Sequence, residues 1–231
     1  AHLLSALLVS KLAGQFIDEH LVRRILRRHF HFPGGGGPSW LEKIGTAKDA
    51  LWSLDLFCCE SIFLKTHWVM VVMDQFSREI IGTAVCRGNP DGLDICRMFS
   101  EIRRGNKCPR NLSTDNDPLF EFQQWEGNLR VLEIAPIKSV PGVPISHPFI
   151  ERLIGTIRRE FLDQEMFWNE RDLHKKLREF SEYYNSARVH YSLAGQTPSE
   201  KSANFVTEAI NLKTIRWKSF CSERFSIPCA A

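Results

Sequence analysis

The alternation of apolar and polar positions along the chain predicts a group of β-strands in its first half. Apolar, strand-like runs lie at Leu51–Cys59, Trp68–Asp74 and Glu79–Cys86. The short turn Gln75–Arg78 separates the second run from the third. Because short turns between such runs favour the pairing of neighbouring strands, we expect the three to form an antiparallel meander.

A helical period follows the meander. Over Asp91–Arg104 apolar residues recur at helical spacing, which predicts a helix with an inward face made by Leu93, Cys96, Met98 and Ile102. Beyond it, short strands alternate with helices. The predicted elements are a strand at Asn111–Thr114, a helix at Pro118–Trp125, a fifth strand at Leu129–Ile134, a loop over residues 136–146 and helices over about 147–162 and 170–187.

This order of elements predicts an α/β fold of the ribonuclease-H-like type, a five-stranded mixed sheet flanked by helices. The two later strands should join the sheet in parallel, because strand–helix–strand connections are right-handed crossovers between parallel strands. The end of the Asn111–Thr114 strand then lies beside the middle of the Leu51–Cys59 strand.

A glycine run divides the chain. Four glycines between two prolines exclude the interior of a helix or strand, so we interpret residues 33–39 as a linker. It separates a short basic helical segment, residues 1–32, from a main domain over residues 40–200. Residues 201–231 form a C-terminal extension, for which a small β element is one interpretation.

Composition narrows the class of protein only modestly. With 43% hydrophobic and 25% charged residues, the 231-residue chain is typical of a globular protein with a substantial core. Its formal net charge of +3 does not by itself indicate nucleic-acid binding. The seven cysteines are odd in number and include no CxxC pair, which argues against a disulfide framework or a zinc site. The apolar run Leu3–Leu12 is too short to span a bilayer.

Three acids have surroundings that ordinary surface acids lack. Asp55 lies inside an apolar strand, Asp115 ends a short strand, and Glu151 lies near the start of an amphipathic helix, with 35 residues between the last two. An Asp in an apolar strand is costly unless it is paired or bound to a metal. A turn Asp taken alone is more often a cap, and a Glu at a helix start is more often solvated. The combination points to chemistry, because such carboxylates can hold two Mg²⁺ ions for phosphoryl transfer.

Asp55 is our choice for the carboxylate that bridges both ions, with Asp115 completing the site of one ion and Glu151 that of the other. Asp117 lies in the same turn as Asp115 and competes with it as a ligand, although we expect Asp117 to point away.

Five segments carry a family resemblance. They are Trp52–Asp55, Val72–Gly82, Ser113–Phe120, Glu151–Glu160, and Tyr184–Leu193 with the following Thr197-Pro198. In this order and spacing they resemble the catalytic core of the DDE transposases of bacterial insertion sequences and of the retroviral integrases. The resemblance covers roughly residues 40–200. The chain departs from the family's frequent Asp-Asn-Gly after the second acid, where it has Asp115-Asn-Asp117.

The resemblance implies a DDE-type polynucleotidyl transferase that cleaves and joins DNA strands. It implies that Asp55, Asp115 and Glu151 form the catalytic, metal-binding triad with two Mg²⁺ ions, for which Mn²⁺ can substitute. The expected partners are DNA, as element ends and target, and further copies of the chain in a homo-oligomer, with no membrane. The expected location is the bacterial cytoplasm, in association with the nucleoid.

Basic residues are the candidates for DNA binding, because Lys and Arg contact phosphates. Arg158 and Arg159 follow Glu151 by seven and eight positions and so return to its face of the helix. Arg152 and Lys138 are further candidates. For each of them, a solvated side chain is the alternative.

A second basic group lies near the start of the chain. Arg23, Arg24, Arg27 and Arg28 share one face of a predicted helix. They could grip DNA as the remnant of the helix-turn-helix module that such transposases carry upstream, or they could simply be solvated.

The segment Tyr184-Asn185…Arg188…His190 is a family signature without an assigned catalytic role. His190 could titrate near neutral pH. We expect His190 and Arg188 to fix the last helix against the core or to contact DNA.

Two other functions stay open beside strand transfer. One is a ribonuclease-H-like nuclease that hydrolyses DNA without joining it. The other is a truncated, non-catalytic fragment that binds DNA.

Overall fold

The described part of the chain lies in a single unit. The computed structural model describes residues 47–115, 117–138, 148–203 and 215–230. The backbone divides into the units Ala1–Ser39 and Trp40–Ala231, and every described residue belongs to the second. The predicted N-terminal helical segment and glycine linker lie outside the described residues.

Strands and helices follow one another in the predicted α/β manner. The strands are β1 Leu51–Glu60, β2 Thr66–Asp74, β3 Ile80–Arg87, β4 Asn111–Thr114, β5 Ala135–Lys138, β6 Ile215–Phe220 and β7 Phe225–Ala230. The α-helices are α1 Gly92–Arg103, α2 Gln123–Val131, α3 Pro148–Glu160, α4 Glu170–Ser186 and α5 Pro198–Ala203. Short 3-10 helices occur at Pro118–Phe120, Leu162–Gln164 and Tyr191–Leu193. None of the described helices is long and apolar enough to cross a membrane.

Five strands form one mixed sheet in the order β3-β2-β1-β4-β5. β1 pairs antiparallel with β2, and β2 with β3, which confirms the predicted meander. β4 joins β1 in parallel, and β5 joins β4 in parallel, which confirms the predicted crossovers. β1 is therefore the central strand, hydrogen-bonded on both sides.

Side chains alternate along β1, so the two faces of the sheet carry separate cores. On one face, Phe57 packs with residues of α3 and α4 that include Ile150 and Phe180. On the other face, Trp52 and Leu54 pack with residues of α1 and α2. The domain thus has three layers, with helices on both faces of the sheet.

The predicted fifth strand at Leu129–Ile134 is wrong. This stretch contains the end of α2, with Leu129 buried, and the edge strand begins only at Ala135. Trp125 and Leu129 are both buried and lie four residues apart, so helical packing on the core outweighs the strand-like composition of the stretch. Pro136 is tolerated in β5 because β5 lies at the edge of the sheet.

The boundaries of the two neighbouring elements also differ from the prediction. The helix predicted over Pro118–Trp125 is divided into a 3-10 turn at Pro118–Phe120 and the start of α2 at Gln123. The predicted loop over residues 136–146 overlaps β5, which extends to Lys138, and residues 139–147 lie outside the described part.

The predicted inward face of α1 is correct for Met98 and Ile102 and wrong for Leu93, which is 52% exposed. Ile95 and Phe99 are fully buried instead. Ile95, Met98, Phe99 and Ile102 share the buried face of the helix, and Leu93, two residues before Ile95, lies on the opposite face.

The C-terminal extension contains the small β element, the antiparallel hairpin of β6 and β7. Phe220 and Cys221 are buried in the same core as α3 and α4. The Phe225 ring stacks on Tyr183 of α4 with 3.9 Å between ring centroids. The hairpin is therefore packed onto the domain through α4.

The end of α4 is attached to the sheet by one side-chain amide. Asn185 Oδ1 accepts a hydrogen bond from the backbone N–H of Ile80 at 2.8 Å, and its Nδ2 donates to the Ile80 carbonyl at 2.9 Å. The amide thus satisfies both backbone groups of a buried residue at the start of β3.

We expect Asn185→Ala to lower the free energy of unfolding by about 2 kcal/mol, because it leaves a buried N–H and a carbonyl without partners. Urea unfolding followed by circular dichroism measures the change. Ser186→Ala, at an exposed position of the same helix, is the control and should change stability by less than about 0.5 kcal/mol. Equal effects of the two substitutions would contradict the role of the amide.

Candidate active site

Asp55 lies in the middle of β1 with its side chain on the face that α3 covers. It is two residues from Phe57, so the two side chains share a face of the sheet, and Phe57 belongs to the core of α3 and α4. The Asp55 carboxylate is half-buried, and its Oδ1 accepts a hydrogen bond from the backbone N–H of Leu56 at 2.7 Å. The expectation of an acid inside a central strand is met.

Asp115 follows directly after β4. The parallel pairing places Ser53 of β1 opposite Ser113 of β4. Two residues beyond this pair in each segment, the same register brings Asp55 opposite Asp115. Asp115 is half-buried, and its Oδ1 accepts a hydrogen bond from the backbone N–H of Asp117 at 3.2 Å.

Asp117 has a local structural role. Its Oδ1 accepts a hydrogen bond from the backbone N–H of Leu119 at 2.9 Å, which caps the 3-10 turn that begins at Pro118. One of its carboxylate oxygens is thus used in the cap, as is common for an Asp in a turn.

Glu151 lies in the first turn of α3 and is exposed. Its neighbours Ile150 and Leu153 are buried in the core on the Asp55 face of the sheet. Glu151 is therefore at the edge of the interface between α3 and the sheet, where only the packing of the helix brings it toward the strand acids.

The charges of these acids act on one another. Burial is the largest cause that raises the pKa of Asp55, and the nearby charges of Asp115, Glu151 and Asp117 raise it further. The hydrogen bond from Leu56 opposes this shift, and the resulting pKa is about 7. A half-buried carboxylate among other carboxylates is a strongly anionic position.

The acids do not form a closed ligand set. Among the described residues, no group of three or more His, Cys, Asp or Glu side chains is arranged so that it could hold a metal ion as it stands. The fold thus brings Asp115 and Glu151 close enough for their charges to act on Asp55.

Arg158 reaches from α3 back to β1. Its Nη2 donates a hydrogen bond to the Cys58 carbonyl at 3.0 Å, and its Cζ lies 5.1 Å from the centroid of the Phe57 ring. The Arg158 guanidinium thus lies at Phe57, which shares a face of the sheet with Asp55 and is two residues further along β1.

The other basic candidates have different surroundings. Arg159 is exposed and folds back over Gly155, so that its Nη1 is 2.9 Å from where a Cβ on that glycine would be. Arg152 is exposed, with its Cζ 6.0 Å from the Phe149 ring centroid. Lys138 is the last residue of β5, and its side chain lies outside the described part. Arg23, Arg24, Arg27 and Arg28 also lie outside the described residues.

The signature near the end of α4 attaches that region to α3. Arg188 forms a two-point ion pair with Glu160, with Nε to Oε2 at 3.0 Å and Nη2 to Oε1 at 2.7 Å. The His190 ring packs edge-on against Tyr184 with 4.7 Å between centroids. Burial and the neighbouring Arg188 lower the pKa of His190 to about 4, which argues against titration near neutral pH.

Asp74 and Arg78 have structural roles that the sequence did not predict. The fully buried Asp74 carboxylate accepts hydrogen bonds from both the N–H and the hydroxyl of Ser77 and so shapes the β2–β3 turn. That turn places Arg78, with φ 64°, so that its Cζ is 3.2 Å from the ring centroid of Phe149. Their signal was present in the Val72–Gly82 segment, but a sequence motif does not say which helix its side chains meet.

Comparison with known proteins agrees with this architecture. Residues 132–198 match the family model of the integrase core domain, a stretch that includes Glu151 but neither Asp55 nor Asp115. The chain is 26% identical over 160 residues to an uncharacterised 39.2 kDa protein of insertion element IS476 from Xanthomonas euvesicatoria, covering 69% of this chain and 46% of that protein. It is 23% identical over 137 residues to the transposase of insertion sequence element IS904 from Lactococcus lactis subsp. lactis, covering 58% of this chain and 54% of that one. The chain thus spans about half the length of these relatives.

Solved structures share the fold at low sequence identity. The integrase catalytic core domain of HTLV-2, solved in complex with magnesium, superposes with a TM-score of 0.53 at 17% identity and covers 68% of this chain and 99% of that one. A chain of the simian T-cell lymphotropic virus intasome complex superposes with a TM-score of 0.57 at 16% identity, covering 74% of this chain and 63% of that one.

The fold is that of an integrase catalytic core, a five-stranded mixed sheet flanked by helices. Residues 132–198 match the integrase core domain and the chain is similar to proteins of insertion elements, so the resemblance seen in its motifs is confirmed.

We expect Asp55→Asn to raise the melting temperature in EDTA at pH 8, because it removes a half-buried negative charge and keeps the oxygen that accepts from Leu56. The pKa of Asp55 is raised from 3.8 to about 7. The wild-type protein therefore loses stability as the pH rises from the first of these values to the second, and above the second value no further stability is lost through Asp55. The gain in the variant should therefore shrink from pH 8 to pH 5.

Differential scanning fluorimetry at the two pH values measures this effect. Asp163→Asn, at an exposed acid just beyond α3, is the control and should shift the melting temperature little at either pH. A gain for Asp55→Asn that is the same at pH 5 and pH 8 would contradict the assigned electrostatics.

Proposed function

We propose that this chain is the catalytic core of a transposase that cleaves DNA strands and joins them to target DNA with the help of Mg²⁺. The observation that carries the proposal is the electrostatic state of Asp55. Burial and the charges of Asp115 and Glu151 act on it together, although the three acids come from a strand, a strand end and a helix. A divalent cation bound beside such a concentration of negative charge would stabilise the ionised carboxylates.

The donor chemistry fits magnesium. Mg²⁺ prefers oxygen ligands and keeps several waters, so one or two carboxylates per ion are enough. We assign Asp55 as the shared ligand of two ions and Asp115 and Glu151 as the second ligand of each, with Mn²⁺ able to substitute. A shared ion requires these side chains to draw closer together than they lie in the described arrangement. When bound, two such ions activate the attacking oxygen and stabilise the leaving oxygen.

The chain's own residues would hold and orient the DNA. Arg158 supports this proposal because its guanidinium lies beside the Asp55 face of the sheet while its helix carries Glu151. We propose that Arg158, with Arg159 and Arg152 on the same helix, contacts phosphates of the bound strand. Lys138 and the four arginines near the chain start remain candidates of the same kind.

The proposed reaction has two steps with the same chemistry. First, a water oxygen attacks the phosphorus at the element end, and the P–O3′ bond breaks to leave a 3′-hydroxyl and a 5′-phosphate. Second, that 3′ oxygen attacks a phosphorus of the target strand, a new P–O bond forms, and the target's own 3′ oxygen leaves as a hydroxyl. Neither step needs a covalent link between protein and DNA.

The proposed partners are DNA and further copies of this chain. Neighbours of the same fold support self-association, since the HTLV-2 core was solved in dimeric and trimeric forms. The insertion-element relatives support DNA as the substrate and the bacterial cytoplasm, near the nucleoid, as the location.

We expect Asp55→Asn and Asp115→Asn each to reduce joined product by about 1,000-fold, because losing a ligand removes roughly 4 kcal/mol of transition-state stabilisation. The measurement is a strand-transfer assay with end-labelled DNA from the flanks of the gene and a supercoiled target, in Mg²⁺. Asp163→Asn is the matched control and should retain wild-type levels of product.

The same assay separates the alternative functions. Cleaved DNA without joined product would identify a nuclease of this fold and overturn the strand-transfer proposal. DNA binding without cleavage, in the wild type and in all variants alike, would identify a non-catalytic fragment. Activity that survives Asp55→Asn would overturn the assignment of the acids.

A further inference from the structure

A small cavity beside α3 is lined by basic residues, and Asp55, Asp115 and Glu151 are not part of its lining. It has a volume of about 100 Å³ and lies between α3, the end of α4 and the β2–β3 turn. Its cationic and imidazole lining consists of Arg78, Arg152, Arg188 and His190. Among the described residues that line it, none is an Asp or a Glu. A water occupies about 30 Å³ of liquid, so the space suits one tetrahedral oxyanion rather than a large ligand.

Two of these arginines meet at one aromatic ring. Arg78 lies on the Phe149 ring, with Cζ 3.2 Å from the centroid, and Arg152 lies near the same ring at 6.0 Å. The ring accepts cationic contacts on its face. Both guanidinium groups thus line the cavity beside one ring.

The remaining two groups are oriented by contacts outside the cavity. Arg188 uses Nε and Nη2 to bind Glu160, which fixes the plane of its guanidinium and offsets its charge, while Nη1 is not used in this ion pair. His190 is held edge-on against Tyr184, and its buried Nε2 atom has no hydrogen-bond partner among the described residues. A buried ring nitrogen without a partner is costly, and in the neutral tautomer with its proton on Nε2 the ring would donate a hydrogen bond to an oxyanion at this position.

We propose that this cavity binds a single phosphate group of a DNA strand through Arg78, Arg152, Arg188 and His190. Guanidinium groups suit this ligand because they donate hydrogen bonds to phosphate in a fixed, forked geometry. Arg152 directly follows Glu151 in the chain, so a phosphate held here would fix a strand alongside the helix that carries the third acid. The assignment to DNA rests on the proposed function, whereas binding of the oxyanion does not.

The first test uses inorganic phosphate as the probe. The imidazole signals of His190 are followed by two-dimensional NMR while phosphate is titrated at constant ionic strength, with chloride as the comparison anion. We expect a saturable shift with phosphate only. Arg152→Gln should weaken phosphate binding by about tenfold, because it removes one charge-assisted contact.

Arg178→Gln is the matched control. It removes the same charge from an exposed arginine of α4, and Arg178 is not part of the cavity lining. It should leave the affinity for phosphate within about twofold of wild type. Equal weakening by the two substitutions, or a His190 shift that is linear in any added salt, would overturn the proposal.

The second test asks whether the phosphate belongs to DNA. Fluorescence anisotropy measures binding of labelled duplexes, with and without a 5′-terminal phosphate, to the Asp55→Asn background in EDTA. If the ligand is a terminal phosphate, removing it from the duplex should weaken binding only where Arg152 is intact. If the ligand is an internal phosphodiester, Arg152→Gln should weaken binding to both duplexes alike. In either case, inorganic phosphate should compete with DNA.

Phosphate binding that does not compete with DNA would overturn the DNA assignment. Because these measurements need neither metal nor catalysis, failure of the strand-transfer assay leaves their interpretation unchanged. Conversely, a cavity that binds no phosphate leaves the assignment of the three acids untouched.

Discussion

The site depends first on the position of β1 at the centre of the sheet. β1 is hydrogen-bonded to β2 on one side and β4 on the other, so it cannot slip without breaking two ladders. A shift by one residue would turn Asp55 toward α1 and α2 and would exchange the side chains of β1 between the two cores. The burial of both faces thus fixes the direction of the Asp55 carboxylate, and the parallel register with β4 places Asp115 beside it.

The second requirement is the position of α3, which neither strand determines. Near its start, Phe149 is covered by Arg78 from the β2–β3 turn, and at its end Glu160 binds Arg188. The amide of Asn185 attaches the end of α4 to β3 and so supports the same corner. The acid face and the cationic cavity therefore share one scaffold, and a change in the seating of α3 should affect both.

Much of this arrangement could be predicted from the sequence. Apolar, strand-like runs located the meander, and the spacing of apolar residues located α1, α3 and α4. The prediction failed where two signals compete in a short stretch, as at Leu129, where helical packing beneath Trp125 outweighs strand-like composition. It also failed for Leu93, because packing on the sheet selects the face of α1 that Ile95 and Phe99 share.

The sequence by itself determined which elements carry the acids, because hydrophobic periodicity is a local property of the chain. It also determined their order and spacing, which carry the family resemblance. Only the tertiary structure decided how near Glu151 lies to Asp55, since an exposed residue at a helix start has no local preference for a partner. The contact of Arg158 with Cys58 and the convergence of Arg78 and Arg152 at Phe149 were likewise decided by packing between segments far apart in the chain.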